Sequence, residues 1–393
     1  MDSTNGAAER AGTGGDPTDL VHTGPGTLAG RYLRRFWHPV ALGHEVSPGQ
    51  ARPIRIMSED FTLYRGEGGE PHVMAPRCAH RGTQLSTGWV ERDCIRCFYH
   101  GWKYDGSGQC TEMPAEDPSF PSKVRIKSYP TRDYLGFVFA YLGEGEPPPF
   151  PRHEEFEGDG VPEINGTYWR ECNYFQAMEN AVDEVHVAFV HRESAFTAAG
   201  LNWDLPRISA EETDYGLVQY GTRGDGVVRV SHIMMPNVMR IMGGPGDTQG
   251  GWRDAIAWRV PIDDETHRSF TLRFTHLTGA EADASRERAA RRAARAAALP
   301  STNEIAAEVL AGRLTWDDEA VKTHPGLINI QDHVSQIGQG RVQDRTHERL
   351  GRSDIALLLY RRIFARELRA LAGGQPLKAW RKPERLQVTA GVE

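Results

Sequence analysis

A cysteine and a histidine stand two apart at Cys78-Ala79-His80, and after sixteen intervening residues a similar pair returns as Cys97-Phe98-Tyr99-His100. Two thiolates and two imidazoles at this spacing can hold a [2Fe-2S] cluster asymmetrically, on two loops. The cysteines keep one iron thiolate-ligated, and neutral imidazoles on the other supply less negative charge and raise the potential above that of an all-cysteine cluster. Such a centre passes single electrons. A Cys2His2 zinc site uses the same ligands, but zinc fingers separate the cysteine pair from the histidine pair. Here each segment holds one of each, which favours iron-sulfur. A lone Cys or His is ordinarily a small buried side chain, and two paired sets argue against that reading. Cys94 and Cys97 form a Cys-x-x-Cys, the pattern of a dithiol redox pair, yet no helix pattern starts there. Cys94, Cys110 and Cys172 are assigned to packing.

The 393 residues suggest two domains with ample length for buried cores. A net charge of -7 gives no reason to expect nucleic acid or an anionic membrane as a partner. Five cysteines, an odd number, suit a reducing compartment, with the cytoplasm as default. The first residues carry no basic start followed by an apolar run, and no stretch of about 18 apolar residues follows, so neither export nor membrane insertion is expected.

Residues 1–20 contain almost nothing large and apolar and read as a flexible tail. Residues 27–40 have near-helical spacing, followed by short β-rich segments (residues 53–57, 61–65, 72–75 and 136–142) that predict a small antiparallel β domain over 21–150. Gly143-Glu-Gly-Glu-Pro-Pro-Pro149 marks the boundary. The second domain, 151–393, reads as α+β. It has a helix over 174–190, strands over 227–241 and 255–262, and a half-buried strand over 269–276 with Phe270, Leu272 and Phe274 on one face. Helices follow over 280–298, whose five arginines read as a solvated face, and over 353–371. Gly243-Gly-Pro-Gly246 and Gly250-Gly251 suit a loop, and no dinucleotide-binding glycine fingerprint opens a helix after a strand.

Asn180-Ala-Val-Asp183-Glu-Val-His186-Val-Ala-Phe-Val-His191 ends the helix expected over 174–190. Non-haem iron takes two imidazoles and one carboxylate on one face, leaving positions open for O2. Asp183 and His186 share a helix face, whereas His186 and His191 lie about 140° apart on an ideal helix. The helix must bend or end before His191 if both bind one metal. The third ligand cannot be read from spacing; Asp317, Asp318, Asp332 and Asp344 are the candidates.

The stretch from Arg77-Cys-Ala-His-Arg-Gly82 to Cys97-Phe-Tyr-His-Gly-Trp-Lys-Tyr-Asp105 closely resembles the Rieske domain of aromatic-ring-hydroxylating oxygenases. Respiratory-chain Rieske proteins carry two further, disulfide-forming cysteines where this chain has Thr83 and Tyr99. Asp183-x-x-His186-x4-His191 resembles the iron motif of the same oxygenases, which implies His186 and His191 as ligands and Asp183 as an electron-transfer bridge, with Asn180 lining the pocket. Asn329-Ile-Gln-Asp332-His-Val-Ser-Gln336, with Asp344-Arg345 and Ser353-Asp354, resembles the phthalate-dioxygenase-like branch and selects Asp332; Thr23-Gly-Pro-Gly-Thr27 resembles it too. The likeness thins over residues 195–325.

The resemblance implies an antiparallel β Rieske domain followed by a helix-grip (START-like) catalytic domain. It implies a [2Fe-2S] cluster on Cys78, His80, Cys97 and His100, a mononuclear Fe(II), and O2 as co-substrate. It further implies a homotrimer or a multiple of one, with His100 of one chain meeting Asp183 of the next. A separate NAD(P)H-dependent reductase or ferredoxin would supply electrons, and an aromatic small molecule would be hydroxylated or demethylated. The competing expectation is a Rieske electron carrier whose second domain only binds a partner. Arg207, Arg223, Arg229 and Arg240 are candidate clamps for an acidic substrate; Met234, Met235, Met239 and Met242 are candidate core or pocket wall.

Overall fold

The computed structural model describes residues 16–164, 167–192, 204–224, 226, 228–245, 252–383 and 386. The helical spacing over 27–40 splits in two. Thr27 caps α1 (Leu28–Leu33), its Oγ1 accepting from the Gly30 N–H at 3.0 Å. The chain then turns into β1 (Trp37–Leu42), because Pro39 has no N–H to give a helix. Strands β2 (Ala51–Ile56), β3 (Glu59–Arg65) and β4 (Pro71–Met74) follow. The short strands β5 (Trp89–Glu91), β6 (Cys94–Arg96), β7 (Lys103–Tyr104) and β8 (Cys110–Glu112) form a sheet of their own. Strand β9 (Ser128–Tyr129) joins the sheet β2-β3-β4-β9, and β10 (Thr131–Tyr134) and β11 (Phe137–Tyr141) join β1 in the order β1-β11-β10. The small sheet has its own apolar core around Tyr64, Leu85, Ile95, Trp102 and Tyr104.

In the second half, β12 (Val161–Ile164), β14 (Arg207–Glu212), β15 (Gly216–Thr222), β16 (Val228–Met234), β17 (Val238–Pro245), β18 (Trp252–Pro261) and β19 (His267–Thr275) make one antiparallel sheet, ordered β12-β19-β18-β17-β16-β15-β14. Strand β13 (Tyr168–Arg170) also pairs with β19. The long C-terminal helix Ile355–Ala372 packs on β14 and β15 and on α1, so the sheet grips a helix, as expected. Strand β17 runs on through Gly244 and Pro245, which pair with Arg253 and Trp252, where a loop is expected. The other glycines of that stretch, Gly246, Gly250 and Gly251, lie outside the described residues, as does the Met242 side chain.

Three expectations are corrected by packing. The single helix over 174–190 is two, α2 (Tyr174–Ala181) and α3 (Val185–Val190). Between them the Asp183 Oδ1 accepts from the Val185 and His186 N–H groups at 2.9 and 3.1 Å, an N-cap that restarts the helix. Strand β19 is buried on both faces rather than one. Ser269 and Thr271 on its polar face are buried because Arg259 donates to Ser269 and the two hydroxyls lie 3.1 Å apart. Leu20, expected in a flexible tail, is ordered instead. It packs on the core, and its carbonyl accepts from the Tyr174 hydroxyl at 2.9 Å; residues 1–15 lie outside the described residues.

The segment around residue 150 does not divide the packing. One apolar core runs from Leu28 through the β1-β11-β10 sheet to Trp258, Phe270 and Phe364. Phe137 sits edge-on to Trp258 and Phe270 at 5.8 and 5.9 Å, and burying each such ring contributes about 2 kcal/mol. Glu45 and Arg268 add a paired ion contact at 2.8 Å across the same seam. The remaining helices are α4 (Gly279–Ala297), α5 (Thr302–Leu310), α6 (Glu319–Lys322) and α7 (Leu327–Ile337), with α8 being Ile355–Ala372.

Candidate metal centres

The two Cys–His loops close in the same way. The Gly82 N–H donates to the Cys78 carbonyl, and the Gly101 N–H to the Cys97 carbonyl, both at 3.0 Å. The Cys78 N–H donates to the Thr83 carbonyl and the Cys97 N–H to the Trp102 carbonyl, both at 2.8 Å. Both glycines have φ +75, the left-handed region where a side chain is strained. A glycine four residues after each cysteine was therefore a signal, readable in the sequence, for a matched pair of loops. Cys78 and Cys97 are buried, and the His80 and His100 rings meet edge to face at 4.5 Å. Trp102 stacks on His80 at 4.7 Å and 10°. The His80 Nδ1 is buried without a hydrogen-bond partner, and the Tyr104 hydroxyl lies 3.2 Å from the Cys78 sulfur. An orphaned imidazole nitrogen beside two buried sulfurs is what a metal-sulfur cluster would satisfy. His100 is exposed, its ring centre 3.8 Å from that of Tyr99, and Phe98 and Tyr99 beside it are 50 and 52% exposed.

At the second centre, His186, His191 and Asp332 place one ligand atom each within 4.8 Å of the others. The His186 Nε2 lies 3.7 Å and the His191 Nε2 3.4 Å from the Asp332 Oδ1. The helix break reconciles the 140° problem: His186 is in the first turn of α3, and His191 caps its end. Each remaining ring nitrogen is engaged. The His186 Nδ1 bonds the Asp183 carbonyl, and the His191 Nδ1 the Gln331 Oε1 at 2.9 Å. Both Nε2 atoms are thus turned inward, as metal ligation requires. Burial would raise the Asp332 carboxyl, but the bond from His191 and the charges of His191 and His186 outweigh it and hold it at about 2. Burial would lower the His191 imidazole, but Asp332 outweighs it and raises it. Two imidazoles and one carboxylate are the donors of a facial iron triad.

Helix α7 brings Asp332 to this point. The Arg170 guanidinium, wholly buried, donates to the Gln336 Oε1 at 2.6 Å, and the Gln176 amide on α2 donates to the Gln336 carbonyl at 3.0 Å. Glu179 is clamped by Arg345 at 2.7 Å and Arg361 at 2.5 Å, tying α2 to the C-terminal helix. The other carboxylate candidates are elsewhere. Asp317 pairs with Lys322 on the surface, Asp318 bonds Thr315, and Asp344 caps the turn at Thr346. Asn180 comes to 3.4 Å from the Asp332 Oδ1 through its amide nitrogen. Asp183 keeps 38% of its side chain exposed, with its Oδ2 3.8 Å from the His186 Nδ1.

Two of the four candidate clamps are structural. Arg240 is fully buried on Glu155 and over Phe156, and Arg223 is buried on Glu184 at 2.7 Å. Arg207 is exposed on the edge strand β14, and Arg229 pairs with Glu184 at 3.1 Å while keeping 24% of its side chain exposed. Gln331 and Glu184 carry positions in the site that sequence reasoning passed over; each stands beside a motif residue, and nothing in its spacing marks it. Met234 and Met235 are buried and Met239 is partly buried against the core.

The fold and these two centres define an oxidoreductase with an electron-input unit and a separate metal chamber. Residues 36–130 match the Rieske [2Fe-2S] domain family. The chain is 33% identical, over 92% of its length and 81% of the relative's, to the 5,5'-dehydrodivanillate O-demethylase oxygenase subunit of a Sphingobium species. It is 30% identical, over 92% and 87%, to the phenoxybenzoate dioxygenase alpha subunit of Ectopseudomonas oleovorans. The terminal oxygenase of carbazole 1,9a-dioxygenase from Novosphingobium sp. KA1 shares the fold, with a TM-score of 0.64 at 21% identity, over 86% of this chain and 94% of that one. The chain belongs to the Rieske non-haem iron ring-hydroxylating oxygenases, phthalate-dioxygenase-like branch, as a terminal oxygenase subunit. It is an O2-using oxidoreductase with a [2Fe-2S] cluster and a mononuclear iron. Among the described residues no helix is long and apolar enough to cross a membrane.

Proposed function

We propose that Cys78, His80, Cys97 and His100 hold the cluster, and that His186, His191 and Asp332 hold the mononuclear iron. The enzyme would oxidise an aromatic, carboxylate-bearing small molecule by hydroxylation or demethylation. The convergence of two Nε2 atoms on the Asp332 Oδ1 carries this reading. When bound, the cluster supplies single electrons and the mononuclear iron activates O2. The residues do the rest. Gln331 and the Asp183 carbonyl orient the two imidazoles, and Arg170 and Gln176 hold α7 in place. Arg229, which meets the iron motif's Glu184 at 3.1 Å and keeps 24% of its side chain exposed, is the clamp proposed to meet a substrate carboxylate. The names of relatives acting on dehydrodivanillate, phenoxybenzoate and phthalate support that substrate class.

Asp183 is proposed as the electron bridge to His100 of a neighbouring chain in a head-to-tail trimer or a multiple of one. Two exposed aromatic surfaces on each chain support a heterologous contact: Phe98 and Tyr99 beside His100, and Phe189 (57% exposed) on α3 beyond Asp183. A ferredoxin or an NAD(P)H-dependent reductase would deliver the electrons, as carbazole dioxygenase oxygenase–ferredoxin complexes support. Five free cysteines support a reducing, cytoplasmic setting.

Iron content is the test. The oxygenase reading predicts about three irons per chain, falling to about two in His186→Ala with the cluster spectrum intact. A parent chain with two irons would favour the electron-carrier alternative. A His186→Ala chain that still oxidised substrate fully would overturn the assignment.

A further inference from the structure

Two consecutive residues of α7 grip opposite edges of one imidazole. The Asp332 Oδ1 lies 3.4 Å from the His191 Nε2, and the Gln331 Oε1 lies 2.9 Å from the His191 Nδ1. Neighbours on a helix point about 100° apart, so a single turn can reach around both sides of a ring lodged against it. Gln331 and His191 are both buried, at 7 and 4% exposure. We infer that Gln331 is a positioning residue for the mononuclear iron, its amide oxygen holding His191 in the tautomer that leaves Nε2 free for metal. This rests on the iron-site reading above.

The orientation of the amide follows from the ligation itself. An NH2 group aimed at Nδ1 would need a lone pair there, which puts the proton on Nε2 and blocks the metal. With the oxygen inward, Nδ1 must carry the proton and Nε2 is available. The two histidines differ in how this is done. The His186 Nδ1 is held by the backbone carbonyl of Asp183, which no side-chain replacement removes, whereas His191 depends on a side chain. Gln331 is therefore a substitutable tautomer lock on His191. Such outer hydrogen-bond partners are worth about 10–100-fold in metal affinity.

The test uses the full-length chain with its cluster in place, stripped of mononuclear iron by a chelator and titrated anaerobically with Fe(II) against a competing chelator. Co(II) is used in parallel for its ligand-field spectrum. Gln331→Leu, close in volume but without an acceptor, should weaken Fe(II) binding by about 10–100-fold and alter the Co(II) spectrum, with the cluster absorption unchanged. Gln331→Glu keeps an acceptor oxygen at the same reach and should restore binding to within a few-fold of the parent. A purely structural glutamine would not show this, because a buried extra carboxylate is the worse substitute for packing. If Gln331→Leu binds Fe(II) as the parent does, or Gln331→Glu falls as far as the leucine, the assignment is overturned. A parent chain that takes up no Fe(II) beyond its cluster overturns the iron-site reading, and this one with it.

Discussion

Glu184 sits between the proposed bridge Asp183 and the first histidine of the proposed iron site, and its carboxylate is buried (4% of the side chain exposed). Its Oε1 accepts from Arg223 at 2.7 Å and its Oε2 meets Arg229 at 3.1 Å. The two guanidiniums come from the end of β15 and from β16, so one buried anion pins the start of α3 to the sheet. Replacing Glu184 with alanine removes the carboxylate both cations share. Breaking a buried ion pair by deleting one partner costs about 3–5 kcal/mol, and the lower figure applies because Arg229 keeps 24% of its side chain in solvent. A loss of about 3 kcal/mol corresponds to a fall in melting temperature of about 4 °C for a chain of 393 residues unfolding as one unit. The opposite side of the contact offers an independent perturbation. A Cβ added at Gly221 would lie 2.8 Å from the Glu184 Cγ and 3.3 Å from its Cδ, so Gly221→Ala must displace the same side chain without touching a charge. Thermal unfolding followed by far-ultraviolet circular dichroism, together with iron content, reads both variants. Both should melt earlier and hold less mononuclear iron, with the alanine at 184 the more severe. A Glu184→Ala chain that melts within about 2 °C of the parent with its iron unchanged would refute the idea that this ion triad anchors the site.

Three shorter predictions follow from other contacts. The Tyr104 hydroxyl reaches the Cys78 sulfur at 3.2 Å; Tyr104→Phe removes a donor that favours the reduced cluster, and should lower its potential by about 40 mV for about 1 kcal/mol of lost hydrogen bonding, as read by redox titration; an unchanged potential would count against the contact. His38 is fully buried, and burial pushes its imidazole down from 6.5 to about 4. The unfolded chain therefore binds the extra proton first, so this contribution is whole above pH 6.5 and is lost as pH falls toward 4, reaching about 3 kcal/mol; urea unfolding of the parent and of His38→Asn across that window should show the slope flatten in the variant. Phe189→Arg, on the exposed face of α3, should shift the proposed head-to-tail assembly toward smaller species in sedimentation while leaving the cluster spectrum intact; an unshifted profile would remove α3 from the proposed interface.

The cluster loops were legible because their information is local. Cysteine, histidine and a closing glycine lie within a few residues of one another, and the backbone bonds at Cys78 and Cys97 simply complete what that spacing permits. The capping residue Asp183 was visible too, but its consequence was not: a 174–190 helix and a helix restarted at 185 share the same apolar pattern, and only the carboxylate folding back on Val185 and His186 distinguishes them. The both-face burial of β19 was hidden for a similar reason, since serine and threonine alternating with phenylalanine looks like a solvent face until neighbouring hydroxyls and Arg259 satisfy each other inside.

By itself, then, the order of residues determined the donor set, the loop chemistry and the two histidines of the second centre. Tertiary structure brought Asp332, which residue spacing left open and the family resemblance selected, to those histidines, and decided which arginines are spent on buried anions and which amide bonds His191. Asp332 lies more than a hundred residues beyond His191, and Glu184 meets Arg223 and Arg229 across a strand hairpin. Such partners share no period or spacing along the chain. They are chosen by burial, which makes an unpaired charge costly and so brings distant opposite charges to one place.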